Sequence, residues 1–216
     1  MAERKAKTAR QRQAEATKKN IADAALRLFA EHGVAGTSTR SIAKQAGVSE
    51  GLIFHHFPDK MALLAAVAAT RTTFGTEVVK LLEGADARPL TEILDDMARM
   101  FSKLVVAGTP EAQLFNVLLG ESRSNAELHA LFRSVVARVT GAFAAYLKAR
   151  VAAGEVREDL DLEVVARTTL GGLVFFFATH SHLSQAQWKR QAPKFAMEHM
   201  RLVREALRPP PPGDKP

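Results

Sequence analysis

The apolar positions of this chain recur at three- and four-residue spacing, the period of a helix with one buried face. Ile21, Ala25, Leu28, Phe29 and His32 form the first stripe, so a helix is expected from about Lys18 to His32, ended by Gly33. TRSIAKQA reads as a short second helix in which Ile42 and Ala46 share a face, with small Ala43 beside them. Ser38 can accept one of its orphan backbone N–H groups, and Gly47 suits a left-handed stop. Ser49 is placed to cap a third helix, SEGLIFHHF, with Val48 and Ile53 as a hydrophobic staple across that cap. Phe57 closes this helix and should point into the same small core. Pro58 breaks the chain and Asp59 can cap a long fourth helix, Lys60 to about Leu82, whose face is Leu64, Val67, Ala68, Arg71, Phe74, Val78 and Leu81.

The pattern stays helical to about Leu207. Leu90–Val106 turns Ile93, Met97, Met100, Phe101 and Leu104 to one side, and Glu111–Gly120 turns Leu114, Phe115 and Leu118 inward. After a polar break at 121–125, Leu128, Phe132, Val135, Val136, Val139, Phe143 and Leu147 define a helix to about Ala153. Two more follow: Leu162–His180, capped by Asp161, and Ser184–Leu207, with Trp188, Ala192, Phe195, Ala196, His199, Val203 and Ala206 at helical spacing. No alternating strand pattern occurs, so the fold class is all-α. LGGLVFFFA, Leu170 to Ala178, has no polar side chain and is expected to be buried all round. Each Gly of Gly171-Gly172 costs ~1 kcal/mol of helix propensity relative to Ala, which points to a close helix approach. Burial by its own domain on one side and by a symmetry mate on the other fits a dimer; a deep core helix in a monomer is the alternative.

Charge adds an arm. Arg4, Lys5, Lys7, Arg10, Arg12, Lys18 and Lys19 stand against Glu3 and Glu15, so residues 1–19 hold five of the chain's net +7 charges. A basic arm ahead of two short helices is an electrostatic footprint for nucleic acid, although a solvated tail would look the same. The expected organisation is a disordered basic arm (1–16), a unit of three short helices (17–60), a longer helical body (61–207) and a Pro-rich disordered tail (208–216). Cysteine is absent, which excludes disulfides and thiolate chemistry. The charged N-terminus lacks the apolar run of a secretory signal, and no uninterrupted run of 18 apolar residues suggests a membrane span. A cytoplasmic protein without membrane contact is expected.

Two helices joined by a short Gly-containing turn form the helix-turn-helix pattern, whose second helix enters a major groove. A plain helical hairpin is the alternative. Against it, SEGLIFHHF is too short to stand alone and carries Ser, Gly and two His on its free side. Residues 17–67 resemble the DNA-binding domain of the tetracycline-repressor (TetR) family, through ALRLFAEHGVAGTS, IAKQAGVS, the aromatic-His-His-Phe block and the following Lys and paired Leu. Ile53-Phe54 departs from the Leu-Tyr common there, so a hydroxyl that often reaches a phosphate is missing at Phe54. GEVREDLDLEVVARTTLGG is a weaker likeness to the stretch entering the family's penultimate helix.

The resemblance implies a homodimer through the last two long helices, bound to a palindromic operator in double-stranded DNA. It implies a repressor released by a small, largely apolar effector. Ser38, Thr39 and Arg40 would face phosphates; Ser49, Glu50, Gly51 and Leu52 would begin the recognition helix; Phe54, His55 and His56 would lie near backbone or base edges. Lys60 would meet a phosphate. Glu50 is the exception in character, since its carboxylate would face a negative backbone. The candidate pocket is Met97, Phe101, Phe115, Leu118, Phe143, Phe175, Phe176 and His180, with core packing as the competing account of each. His180-Ser-His182 invites a metal reading, but two such His on a helix diverge and no third ligand is near. No Gly-rich phosphate loop, G-x-S-x-G or H-E-x-x-H occurs, so neither catalysis nor a cofactor is expected. The alternative function is a lipid-binding or enzymatic helical module with an incidental hairpin.

Overall fold

Helical periodicity becomes ten helices in the computed structural model, which describes residues 2–71, 73–106, 109–123 and 125–210. They are α1 (Ala2–His32), α2 (Thr39–Ala46), α3 (Glu50–His56), α4 (Lys60–Arg71), α5 (Thr73–Leu82), α6 (Leu90–Leu104), α7 (Pro110–Glu121), α8 (Ala126–Ala152), α9 (Leu162–His180) and α10 (Gln185–Leu207). No strand occurs among the described residues. The chain divides into two units: the first runs through Arg71 and takes in Gln113–Leu131, and the second takes in Thr72–Ala112 and Phe132 onwards.

The first unit closes around Ile21, Ala25 and Phe29 of α1, Ile42 and Ala43 of α2, Ile53 of α3, Phe57, and Leu63, Leu64 and Val67 of α4. Burying each large apolar side chain contributes roughly 1.5–3 kcal/mol relative to leaving it in water. Leu114, Leu118 and Leu128 belong to the same core, and that is why the boundary falls after Arg71 and why the chain returns at Gln113. The 17–60 boundary read from the sequence was too short on both counts. The segment read as one fourth helix is described as α4 and α5 on either side of residue 72, which lies outside the described residues.

Two further expectations change here. Helix α1 begins at Ala2, where a disordered arm was expected. Its first turns, AERKAKTARQRQAEA, hold no Gly or Pro, so the helix nucleated by the packed 21–32 stretch can propagate outward. His32 is exposed and not packed; at the last position of α1 it lies beyond the core, with Nε2 3.9 Å from Glu31.

In the second unit α10 packs along α6 and against α9, and α5 lies on α6. Trp188, Phe101, Phe143, Tyr146 and Phe177 are among its largest fully buried side chains. Gly172 explains the expected close approach: a Cβ there would lie 2.5 Å from His199 Cε1, whereas Gly171 faces open space. Nε2–H of His199 donates to the Thr169 carbonyl at 2.8 Å. Helix α9 is not buried all round within this unit. Leu170, Leu173, Phe176 and Phe177 turn inward, while Phe175 is 71% exposed and Val164 57%. Helices α8 and α9 are long and apolar enough to cross a bilayer by length and composition alone, and Val139, Phe143 and Leu147 of α8 and Leu170, Leu173 and Phe177 of α9 are buried in the second unit.

A polar knot joins distant segments of this unit. Pro89 supplies no side-chain cap to α6; the cap comes from Glu155, whose Oε2 accepts from Leu90 N at 2.8 Å. Its Oε1 holds the buried Arg150 at 2.9 Å, and the Tyr146 hydroxyl donates to the Arg88 carbonyl. Burial pushes the Tyr146 hydroxyl up to about 12. Arg88 and Arg99 hydrogen-bond the Asp96 carboxyl and hold it below the ordinary carboxylate range.

Candidate nucleic-acid interface

The α2–α3 hairpin is set by short-range chemistry. Ser38 Oγ accepts from Ser41 N at 3.0 Å, and Ser41 Oγ returns the bond to Ser38 N, forming a capping box. Gly47 stops α2 at φ 67°, and Val48 N closes the turn on the Ala43 carbonyl. Ser49 Oγ then accepts from Leu52 N at 3.2 Å, while Val48 and Ile53 enter the core from either side of that cap. Ile53 and Phe57 anchor one side of α3. Its other side carries exposed Gly51, Phe54 (48% exposed) and His55. A Cβ at Gly51 would meet nothing within 4 Å, so a duplex can approach the backbone closely there.

Glu50 and Lys60 act differently from the roles implied by resemblance. Thr39 Oγ1 donates to Glu50 Oε1 at 2.6 Å, and Arg40 Nε stands 3.8 Å from Glu50 Oε2. The carboxylate is thus turned back onto α2, where it fixes the angle of α3. Arg40 keeps an 89% exposed side chain. Lys60 Nζ donates to the Val34 and Thr37 carbonyls at 2.7 and 2.9 Å. It ties the start of α4 to the α1–α2 connection and is not held out toward a phosphate. Buried Thr37 works in the same connection, donating to the Leu28 and Gly33 carbonyls. Sequence reading missed Thr37, because its partners are set by where Gly33 turns the chain.

The His pair closes α3. The rings of His55 and His56 lie 5.0 Å apart, edge to face. Desolvation, then the nearby His55, then Lys18 hold the His56 imidazole below its ordinary value. Lys18 of α1 is therefore an electrostatic neighbour of this end of the recognition helix, and it is exposed.

Of the expected pocket, Met97, Phe101, Phe143 and Phe176 are buried in the second unit. Phe115 and Leu118 belong to the first unit, and Leu118 lies in its core. Phe175 is on the outer face of α9, away from the interior. His180 stacks on Phe176 at 4.2 Å and donates Nδ1–H to the Phe176 carbonyl. Its ring lies 6.4 Å from that of His182 at 22°, because α9 ends at His180 and His182 sits in the following turn; the rings do not diverge as two residues on a helix would. Among the described residues no group of three or more His, Cys, Asp or Glu is arranged to hold a metal.

This arrangement is shared with known proteins. Residues 21–67 match the family described as bacterial regulatory proteins, tetR family, and residues 85–192 match the tetracyclin repressor-like C-terminal domain. A helix-turn-helix-type transcriptional repressor of Mycobacterium tuberculosis is 39% identical over 95 residues, 44% of this chain and 49% of the relative. The repressor AcnR of Corynebacterium diphtheriae is 35% identical over 80 residues, 37% of this chain and 39% of the relative. The chain thus spans about half the length, or less, of these curated relatives. The regulator FadR from Bacillus subtilis, solved in complex with stearoyl-CoA, superposes with a TM-score of 0.70 at 22% identity, covering 88% of this chain and 98% of that one. PfmR of Thermus thermophilus gives 0.66 at 21%, covering 86% and 97%. At these identities the two structures speak for the fold.

Proposed function

The chain belongs to the tetracycline-repressor family of bacterial transcriptional regulators, and from that premise we propose that it is a ligand-responsive repressor that binds a palindromic operator as a homodimer. One observation carries the reading. Helix α3 is anchored on one side by Ile53 and Phe57 and presents Gly51, Phe54 and His55 on the other. That free side is not part of the first unit's core, as expected of a helix face that enters a major groove. Ser38, Thr39, Arg40, Ser49, Leu52 and His56 flank it, with Lys18 as a further cation. Glu50 and Lys60 hold the geometry from within.

The dimer is proposed to form through α9 and α10. Val164 and Phe175 on α9, with Met197 and Leu202 on α10, are large apolar side chains left exposed by the protomer. Exposed Gly171 lies between the two α9 residues and permits close approach. Two heads would then be presented at ~34–36 Å, one major-groove turn, or at a larger multiple. An effector releases DNA only if it binds better to the dimer with wrongly spaced heads. Such a regulator works in the cytoplasm and catalyses nothing.

A gel-shift titration against the chain's own upstream DNA tests this. Retention by two chains per site, unmoved by excess random DNA, is expected. Each phosphate neutralised should steepen the fall of log K with log salt by ~0.9. A lone subunit that retains no operator DNA would end the proposal and favour a lipid-binding or enzymatic module, and equal binding to all DNA would favour a nucleoid-architectural role.

A further inference from the structure

Trp188 Nε1 and Arg150 Nε are the two buried side-chain polar atoms without a hydrogen-bond partner among the described residues. Arg150 is otherwise paired through Nη1 with Glu155. Trp188 has no such compensation. Its indole N–H is its one polar group, a donor only, and the residue is 0% exposed. Leaving such a donor unmet costs ~1–3 kcal/mol, which an apolar side chain of similar bulk would avoid.

The surroundings show what is missing. The Trp188 ring lies 5.8 Å from Phe101, 5.7 Å from Phe176 and 5.8 Å from Phe177. These neighbours are aromatic rings, at most weak acceptors for an N–H. Phe176 is itself stacked on Phe195 at 4.1 Å and on His180 at 4.2 Å, within 10° and 14° of parallel. His180 Nδ1 is already engaged, 3.0 Å from the Phe176 carbonyl and 2.9 Å from Thr179 Oγ1. The region therefore favours flat apolar groups, and the Trp188 N–H is the donor left without a partner there among the described residues.

We infer that the Trp188 indole N–H is the polar anchor of the effector site. It donates to a single carbonyl- or ether-type oxygen on a flat, ring-bearing, otherwise apolar molecule held among Phe101, Phe176 and Phe177. Naming the occupant an effector rests on the regulator reading; the anchor itself does not.

Trp188 is the one tryptophan of the chain, so the 15N-labelled full-length protein gives a single indole N–H cross-peak. The probes are acetophenone and ethylbenzene, nearly the same shape with and without an oxygen acceptor. Acetophenone should move the indole proton downfield and bind about tenfold tighter than ethylbenzene. In Trp188→Phe the two probes should bind alike. An indole peak unmoved by acetophenone, or equal affinities in the unsubstituted protein, overturns the inference, and neither observation requires the variant to fold. A gel shift on the same sample separates the two readings. Operator binding with an unmoved peak removes the anchor and leaves the regulator. A moved peak without operator binding supports the anchor and removes the regulator.

Discussion

The two units use the same kind of helix but satisfy their polar groups differently. In the first, Ser38, Gly47, Ser49 and Asp59 meet partners a few residues away, and of the hydrogen bonds described there only those of Lys60 span more than twenty residues. In the second, the cap of α6 comes from Glu155, His199 bonds across to α9, and the Trp188 N–H has no partner. On the proposed reading, the first unit meets DNA on the free side of α3. The second leaves a buried donor and an exposed apolar face, which the proposed function assigns to a ligand and a second copy.

The largest way to break this contrast is to empty the smaller core. Phe29→Ala should cost ~3–5 kcal/mol and abolish operator retention, with the sedimenting dimer preserved. Loss of the dimer in the same variant would mean that the second unit depends on the first. Next comes one substitution made twice. Gly172→Ala forces a Cβ into the His199 ring and should destabilise the protein by ~1–3 kcal/mol in urea titration. Gly51→Ala meets open space and removes a flexible residue, so it should stabilise by roughly 0.5–1 kcal/mol while weakening DNA binding. Equal signs for the two would refute the packing difference.

Thr39→Val removes the bond that holds Glu50 onto α2 and should cost about 1 kcal/mol. Operator affinity should fall as α3 loses its angle, with the salt slope unchanged, as expected for a positioning contact. The smallest effect is on pH. The folded chain holds His56 below its ordinary 6.5, so fewer protons bind there than in the unfolded state. Its contribution to stability is present above about 6.5 and declines as pH falls through the lower folded value. A phosphate beside the ring reverses the preference, so DNA binding takes up a proton and operator affinity should rise on acidification. His56→Gln should flatten both dependences in melting and gel-shift series.

The elements were legible because their signals are local. Ser38, Gly47, Ser49, Asp161 and Ser184 all stand at helix ends as the spacing predicts, and α9 has the bounds read from its apolar run. The site was legible as a segment and less so as side chains. Nothing near Lys60 announces that its ammonium meets the Val34 and Thr37 carbonyls, and nothing near Glu50 announces Thr39. A cation and an anion beside a DNA-reading helix look the same in sequence whether they face the duplex or the protein. Phe115 and Phe101 are alike in helical spacing, yet they belong to different units.

By itself, the sequence determined where the helices lie, their capped ends and the helix-turn-helix, because caps, left-handed glycines and apolar stripes act over one or two turns; the uncapped start of α1 escaped it. Only the tertiary structure decided that Glu155 caps α6, that Gly172 admits the His199 ring, that Lys60 is inward and that the Trp188 N–H is left over. Each of these joins residues far apart in the chain or depends on what folding brings around a side chain. Many partners are chemically equivalent at that range, and the packing of the helices selects among them.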